Sequence, residues 1–208
     1  MRVLVVGGSG RTGRLIALKA RANGHDVTVT ARNPESLTAG ALPGDVLALR
    51  ADVHDPDTVR DALRGQDAVV VSVSSPARAS GAVYSTAARA VVDAARAGTR
   101  AVFISSGGTQ PHDPGLPMWY RRLLIPLFMR DLYEDMRAME AVVRKSALDW
   151  TIVRASYLQE APSRNALRVR DGANPPRRWK LSRSTLAQFV VDQLESAEWS
   201  HRTPTLAE

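Results

Sequence analysis

The 208-residue chain has no cysteine. Disulfides and thiolate metal sites are therefore excluded, and a reducing cytoplasm is the compartment this composition predicts. Histidine is nearly as scarce. Residues 25, 54, 112 and 201 show no ligand spacing, so no metal is expected. Long apolar runs are missing too. The longest candidate membrane segment, LLIPLFM at 123–129, is interrupted by Pro126 and falls far short of the roughly 20 residues a span needs. The opening MRVLVVGG meets glycine too soon to read as a signal peptide. Acids are outnumbered, 21 against 28 Lys plus Arg, for a net charge of +7. Such a balance suits an anionic ligand or nucleic acid. No helix-turn-helix, zinc finger or aromatic-basic RNA motif accompanies it, and most arginines are scattered singly, as on a solvated surface. These absences predict a soluble cytoplasmic protein with a small-molecule partner, no nucleic acid and no membrane.

What is present is ordinary globular composition, 44% hydrophobic and 24% charged, enough for one α/β domain with a substantial core. RVLVV (2–6) is a continuous β-branched run ending at glycine, the pattern of a strand buried on both faces. RTGRLIALKARANG follows at helical spacing and stops at Gly24. DVTVTA (26–31) predicts a second strand, and NPESL a helix opening with Asn33 as cap and Pro34 in its first turn. DVLALRA is a third strand, DPDTVRDALRG (55–65) a short helix with cap, proline and terminal glycine, and DAVVVSVS a fourth strand. TAARAVVDAARAG (86–98) predicts a helix and RAVFISS (100–106) a fifth strand. Beyond the loop GGTQPHDPGLP (107–117), residues 118–146 read as helical with a break near Pro126. LDWTIVRAS (148–156) is a sixth strand and residues 182–199 a last helix. Strands alternating with helices predict a parallel sheet with right-handed crossovers, and no linker divides it.

Gly7, Gly10 and Gly13 recur at three-residue intervals, with Gly8 as an extra, where the first strand turns into the first helix. Free N–H groups and the positive end of a helix dipole meet there, so the site suits a pyrophosphate. Gly7 permits the tight turn, Gly10 the approach of the phosphates and Gly13 close helix–sheet packing. The expected ligand is a dinucleotide. An NAD site places an acid at the end of the second strand, about 20 residues on, for the ribose 2′-hydroxyl. Here Ala31 stands there and Arg32 follows, while Asp26 is at the wrong end. A guanidinium suits a 2′-phosphate, which predicts NADP(H). Arg11 and Thr12, inside the glycine loop, are expected to add to the phosphate site.

The GxxGxxG spacing points to the short-chain dehydrogenase branch. VLVVGGSGRTG, ADVHDPDTV, GQDAVVVSV, AVFISSGG and SALDWTIVRASYLQEAP occur in the order found in atypical short-chain dehydrogenases of the NAD(P)H-binding, NmrA-like type. Length and motif order most resemble the biliverdin-IXβ reductase/flavin reductase group, and the resemblance covers essentially the whole chain. It implies a Rossmann-type, doubly wound, mainly parallel sheet in a single domain over 1–208, with a substrate-facing insert at about 107–135. It assigns Asp52 and Val53 to the adenine and Ser72, Val73 and Ser74 to the cofactor's ribose side, and it places Arg154, which matches an arginine frequent among relatives, with the cofactor-binding residues.

The same resemblance implies hydride chemistry over the carboxyl ends of the fourth to sixth strands. Ser106 matches the serine beside the nicotinamide. Tyr157 falls where the reductase group has a substrate-facing histidine, and a phenol there hydrogen-bonds and stacks but is a poor acid–base group unless tuned. The Tyr-x-x-x-Lys pair of typical relatives is absent. Tyr133 is followed by Arg137, and Met136 takes the lysine's position, so Tyr133 is expected in surface or helix packing. MWYRRLLIPLFMR (118–130) reads as a lid or packing element, with a dimer face or membrane contact as alternatives, and NPPRRWK (174–180) as a basic loop with no assigned role. The expectation is an NADPH-dependent oxidoreductase, monomeric or homodimeric, acting on a flavin, quinone or other planar conjugated acceptor. A non-catalytic NADP sensor and an epimerase or dehydratase are the rivals.

Overall fold

The apolar runs form strands where their β-branched side chains are buried on both faces. In the computed structural model, which describes residues 1–35, 42–75, 81–110, 113, 118–160 and 165–208, six of them lie side by side. They are β1 (Arg2–Val6), β2 (Asp26–Ala31), β3 (Leu47–Arg50), β4 (Ala68–Val71), β5 (Arg100–Ser106) and β6 (Asp149–Ala155). Two later segments also enter the structure's strands, β7 (Tyr157–Gln159) and β9 (Lys180–Ser182), which pair with each other in parallel away from the main sheet. The main sheet has eight strands in the order β3-β2-β1-β4-β5-β6-β10-β8, where β8 is Arg168–Asp171 and β10 Pro204–Ala207. All its pairings are parallel except the one between β10 and β8.

Side-chain alternation distributes the sheet between two cores. Val3 and Val5 of β1 pack with one cluster, against α1 (Arg11–Ala22) and α5 (Arg183–Glu195). Leu4 and Val6 point the other way, toward α2 (Pro56–Leu63), α3 (Val83–Ala94) and α4 (Arg130–Arg144). The chain leaves β1 toward β2 and β3, then returns to β4 on the opposite side. The order therefore reverses between β1 and β4, and a crevice opens beyond their carboxyl ends.

Several boundaries differ from expectation for tertiary reasons. The fourth-strand helix begins at Val83 rather than 86 and ends at Ala94. Its start is fixed by Asp135 of α4, whose carboxylate accepts from Tyr84 N (2.8 Å) and Ser85 N (3.0 Å). The helical stretch 118–146 is a π-helix over Tyr120–Met129 followed by α4. Its junction is at Met129 (φ −124°, ψ 7°), three residues past Pro126. The last helix stops at Glu195, before the predicted 199. Asp55 occupies the N-cap of α2 but makes no side-chain cap bond. Gly24 (φ +84°) and Gly65 (φ +76°) end α1 and α2 as expected. The NPESL helix beyond residue 35 and most of the 110–117 loop lie outside the described residues.

Candidate active-site cleft

The turn from β1 into α1 is built by backbone resting on backbone. Gly7 has φ +88°, and a Cβ there would lie 2.6 Å from the Ser72 carbonyl oxygen. A Cβ on Gly13 would lie 2.3 Å from the Gly7 carbonyl oxygen, and one on Gly8 would lie 2.5 Å from Val29 Cβ. Protein packing alone demands these three glycines. Gly10 is different. Its φ of −72° and ψ of 155° suit any residue, and the nearest atom to an added Cβ is 3.4 Å away. Neither conformation nor packing demands glycine there. The first helical i→i−4 bond is Arg14 N to Gly10 O. The N–H groups of Arg11, Thr12 and Gly13 precede it, with no capping side chain and no acid in the first turn. Such a terminus suits a pyrophosphate.

Two lobes meet over this turn, with volumes of about 510 and 540 Å³. They share Gly10 and Ser72–Ser75 as a common floor. One lobe is walled by Gly7, Arg32, Asp52, Val53 and His54. Arg32 is exposed, and its guanidinium makes no ion pair among the described residues. Asp52 accepts from His54 N (3.0 Å), which shapes its own turn. The other lobe is walled by Arg11, Thr12, Ser106, Tyr157, Trp179 and Tyr133, among others. Apart from Gly13 and Arg154, the residues expected at the cofactor and those expected at the substrate thus line one continuous cleft. Gly13 does not face it, because its role is packing.

Ser106 ends β5, and its Oγ accepts from Gly108 N (3.2 Å), which starts a 3-10 turn over Gly107–Thr109. Ser106 also lines the lobe. Tyr157 stands half exposed with its ring 5.3 Å from that of Trp179, and Trp119 meets Trp179 edge-on at 6.3 Å. Sequence reasoning missed Trp179. Only the β7–β9 pairing, with Tyr157 N donating to Trp179 O (2.8 Å), brings the basic loop into the wall. Tyr133, expected in helix or surface packing, is buried in that wall with its ring so close to Gly108 that a Cβ there would meet it at 2.3 Å. Arg137 does not assist it. Its Nη1 donates to the Thr109 carbonyl (3.3 Å). Met136 also lines the lobe, and Met129 and Leu132 extend the insert to its edge.

Arg154 requires correction. It does not wall either lobe. Its side chain is buried, with Nε on Glu140 Oε1 (2.8 Å) and Nη2 on Oε2 (2.5 Å). Glu140 also accepts from Ser105 Oγ (2.7 Å), Thr109 Oγ1 (3.4 Å) and Arg144 Nη2 (2.9 Å). Burial pushes this carboxyl's pKa up, but the hydrogen bonds and charge of Arg154, then Ser105 and Arg144, outweigh it and hold the pKa below the usual range. The network ties α4 and β6 to the residues flanking Ser106. Its sequence signal was an acid on the inner face of a helix, facing the arginine of the sixth strand.

With this geometry established, comparison with known proteins gives the class. A family model described as NAD(P)H-binding matches residues 7–197, and the chain belongs to that family. Among solved structures, a candidate exported protein from Burkholderia pseudomallei superposes with TM-score 0.78 at 25% identity over the whole of both chains. A wide-type short-chain dehydrogenase/reductase from Veillonella parvula, in complex with NADP, gives 0.77 at 16% identity over 100% of this chain and 94% of that one. A candidate NADH-flavin reductase from Streptococcus pneumoniae gives 0.76 at 18% identity over 100% and 99%. No helix among the described residues is long and apolar enough to cross a membrane.

Two outcomes follow from the packing. Gly10→Val folds with nearly unchanged thermal stability and loses NADPH binding by calorimetry, because its side chain fills the phosphate's place; normal affinity in the folded variant contradicts the assignment. Glu140→Gln strands Arg154 in a buried position and lowers unfolding free energy by about 3–5 kcal/mol in urea titrations. The wild-type contribution of Glu140 is present above the carboxyl's unfolded pKa and is lost as pH falls through its lower folded value. The stability gap between wild type and Glu140→Gln therefore narrows in acid.

Proposed function

We propose that the protein is an NADPH-dependent reductase that delivers hydride to a planar conjugated acceptor such as a flavin or quinone. The observation that carries this reading is the shared floor. Gly10 and Ser72–Ser75 run beneath both the Arg32 lobe and the lobe holding Ser106, Tyr157 and Trp179. A dinucleotide laid across that floor has its pyrophosphate at the start of α1 and its two ends in different lobes.

In this reading Gly10, Arg11, Thr12 and the first turn of α1 hold the pyrophosphate, and Gly7 and Gly13 fix the turn. Asp52 and Val53 flank the adenine, Ser72–Ser74 support the ribose side, and Arg32 takes the 2′-phosphate. Absence of an acid at Ala31 and the NADP bound by the Veillonella neighbour support that choice. A bound reduced nicotinamide supplies the hydride, and the acceptor must also take up a proton. Ser106, oriented by Gly108 N, donates a hydrogen bond to the acceptor's polar edge. Tyr157 and Trp179 stack against its plane, and Tyr133 and Met136 close the lobe from α4.

Steady-state NADPH oxidation against a panel of flavins and quinones tests the reading. Turnover is expected with at least one, and Ser106→Ala should lower kcat by tenfold or more while changing NADPH affinity little. Tight NADPH binding with no oxidation by any acceptor would favour a sensor, for which Met136 in place of lysine is the supporting feature. For cofactor choice, a charge-assisted hydrogen bond contributes about 1.5–3 kcal/mol, so Arg32 gives NADPH an advantage on the order of 10- to 100-fold over NADH. Arg32→Ala is expected to weaken NADPH and spare NADH, measured by calorimetry at two salt concentrations. Equal affinities in the wild type would overturn the preference.

A further inference from the structure

One charge arrangement at the substrate lobe has no part in the reading above. Glu160 follows β7, and its side chain is 60% exposed. A single oxygen, Oε1, accepts from Arg11 Nη1 (2.8 Å) and from Arg183 Nη1 (2.8 Å). Arg183 begins α5, and its side chain is only 13% exposed. It lines the lobe of Ser106, Tyr157 and Trp179 and is absent from the walls of the Arg32 lobe. Two guanidiniums on one carboxylate leave a positive charge in excess. The more sheltered of the two cations is paired with a carboxylate largely open to water. Because the carboxylate is open to water, screening weakens this pair, and another anion can take the carboxylate's place. The guanidinium fork suits carboxylate, sulfonate or phosphate oxygens. Beside it, Tyr157 and Trp179 offer aromatic faces to a flat molecule.

We propose that the acceptor is a planar conjugated molecule bearing an anionic group, and that Arg183 binds this group in place of Glu160. The proposal rests on the reductase reading for the identity of the lobe as the acceptor's. Arg11, at the phosphate turn, remains with the cofactor, so cofactor and acceptor together take both arginines from Glu160. Glu160 then disfavours acceptors that bring no charge of their own, because they leave the carboxylate in possession of Arg183.

Riboflavin and flavin mononucleotide share a ring system and differ by a phosphate; 1,4-naphthoquinone and its 2-sulfonate differ by a sulfonate. Calorimetric titration of each into NADP⁺-saturated protein, with NADPH oxidation measured in parallel, tests the idea. The charged member of each pair is expected to bind about tenfold or more tightly, an advantage that shrinks with salt. Arg183→Gln should reduce the ratio to about twofold or less, and Glu160→Gln should enlarge it. Equal binding of charged and neutral members, or no binding of either, overturns the proposal. So does a preference that survives Arg183→Gln, or a loss of NADP⁺ affinity in that variant with the preference intact, which would give Arg183 to the cofactor. Charged preference in binding without any NADPH oxidation would sink the reductase reading while supporting the anion site. Turnover of both members at equal affinity would do the reverse.

Discussion

Contact between two peptide backbones at the end of β1 is the constraint on which the cleft depends. Gly7 turns with positive φ under the carbonyl of Ser72, and Gly13 brings the first turn of α1 onto the carbonyl of Gly7. A methyl group on Gly7 would collide with the residue that follows β4, and one on Gly13 would push α1 off the end of β1. The open N–H groups at the start of α1 would then no longer face the crevice where the strand order reverses. The open helix terminus at the crevice is thus a consequence of packing at two glycines. Gly10 is the one glycine of the turn that packing leaves free to change.

A second constraint holds the opposite wall. Glu140 is a buried acid satisfied by donors from β5, β6, α4 and the turn after Ser106. Leaving any partner unpaired in that interior is costly, so the elements keep a fixed relation to one another. Asn174 adds to it from the other side, donating from Nδ2 to the Gly107 carbonyl (3.1 Å) and lying so close that a Cβ on Gly107 would collide with its amide. Ser106 is therefore carried by a turn pinned both from α4 and from the loop before β9.

The two lobes differ in how they are made. The Arg32 lobe uses strand ends and short loops of the regular βα units. The Ser106 lobe adds to the ends of β5 and β6 the insert, α4, β7 and the loop before β9, with aromatic rings and arginines among its walls. Exposed Met118, Trp119, Leu123, Leu127 and Phe128 continue the apolar character of the insert onto the surface.

The first six strands and the glycine turn were legible in the sequence because local chemistry decides them. A β-branched run between a glycine and a turn has one good use, and the period of three glycines at a strand-to-helix junction has few. Arg32 and Ala31 could be read for the same reason, at a fixed distance along regular elements. Tertiary structure alone decided the rest. RVRD of β8 is polar and marginal as a strand until PTLA of β10 pairs with it, and PTLA is buried between β6 and β8 without a pattern of its own. The start of α3 belongs to Asp135, some fifty residues away. Arg154 faces Glu140 rather than the cleft because a buried carboxylate requires a partner, and Trp179 reaches Tyr157 only through strand pairing. Local propensity is written in neighbouring residues, whereas the satisfaction of buried charge and unpaired strand edges is settled only when distant segments meet.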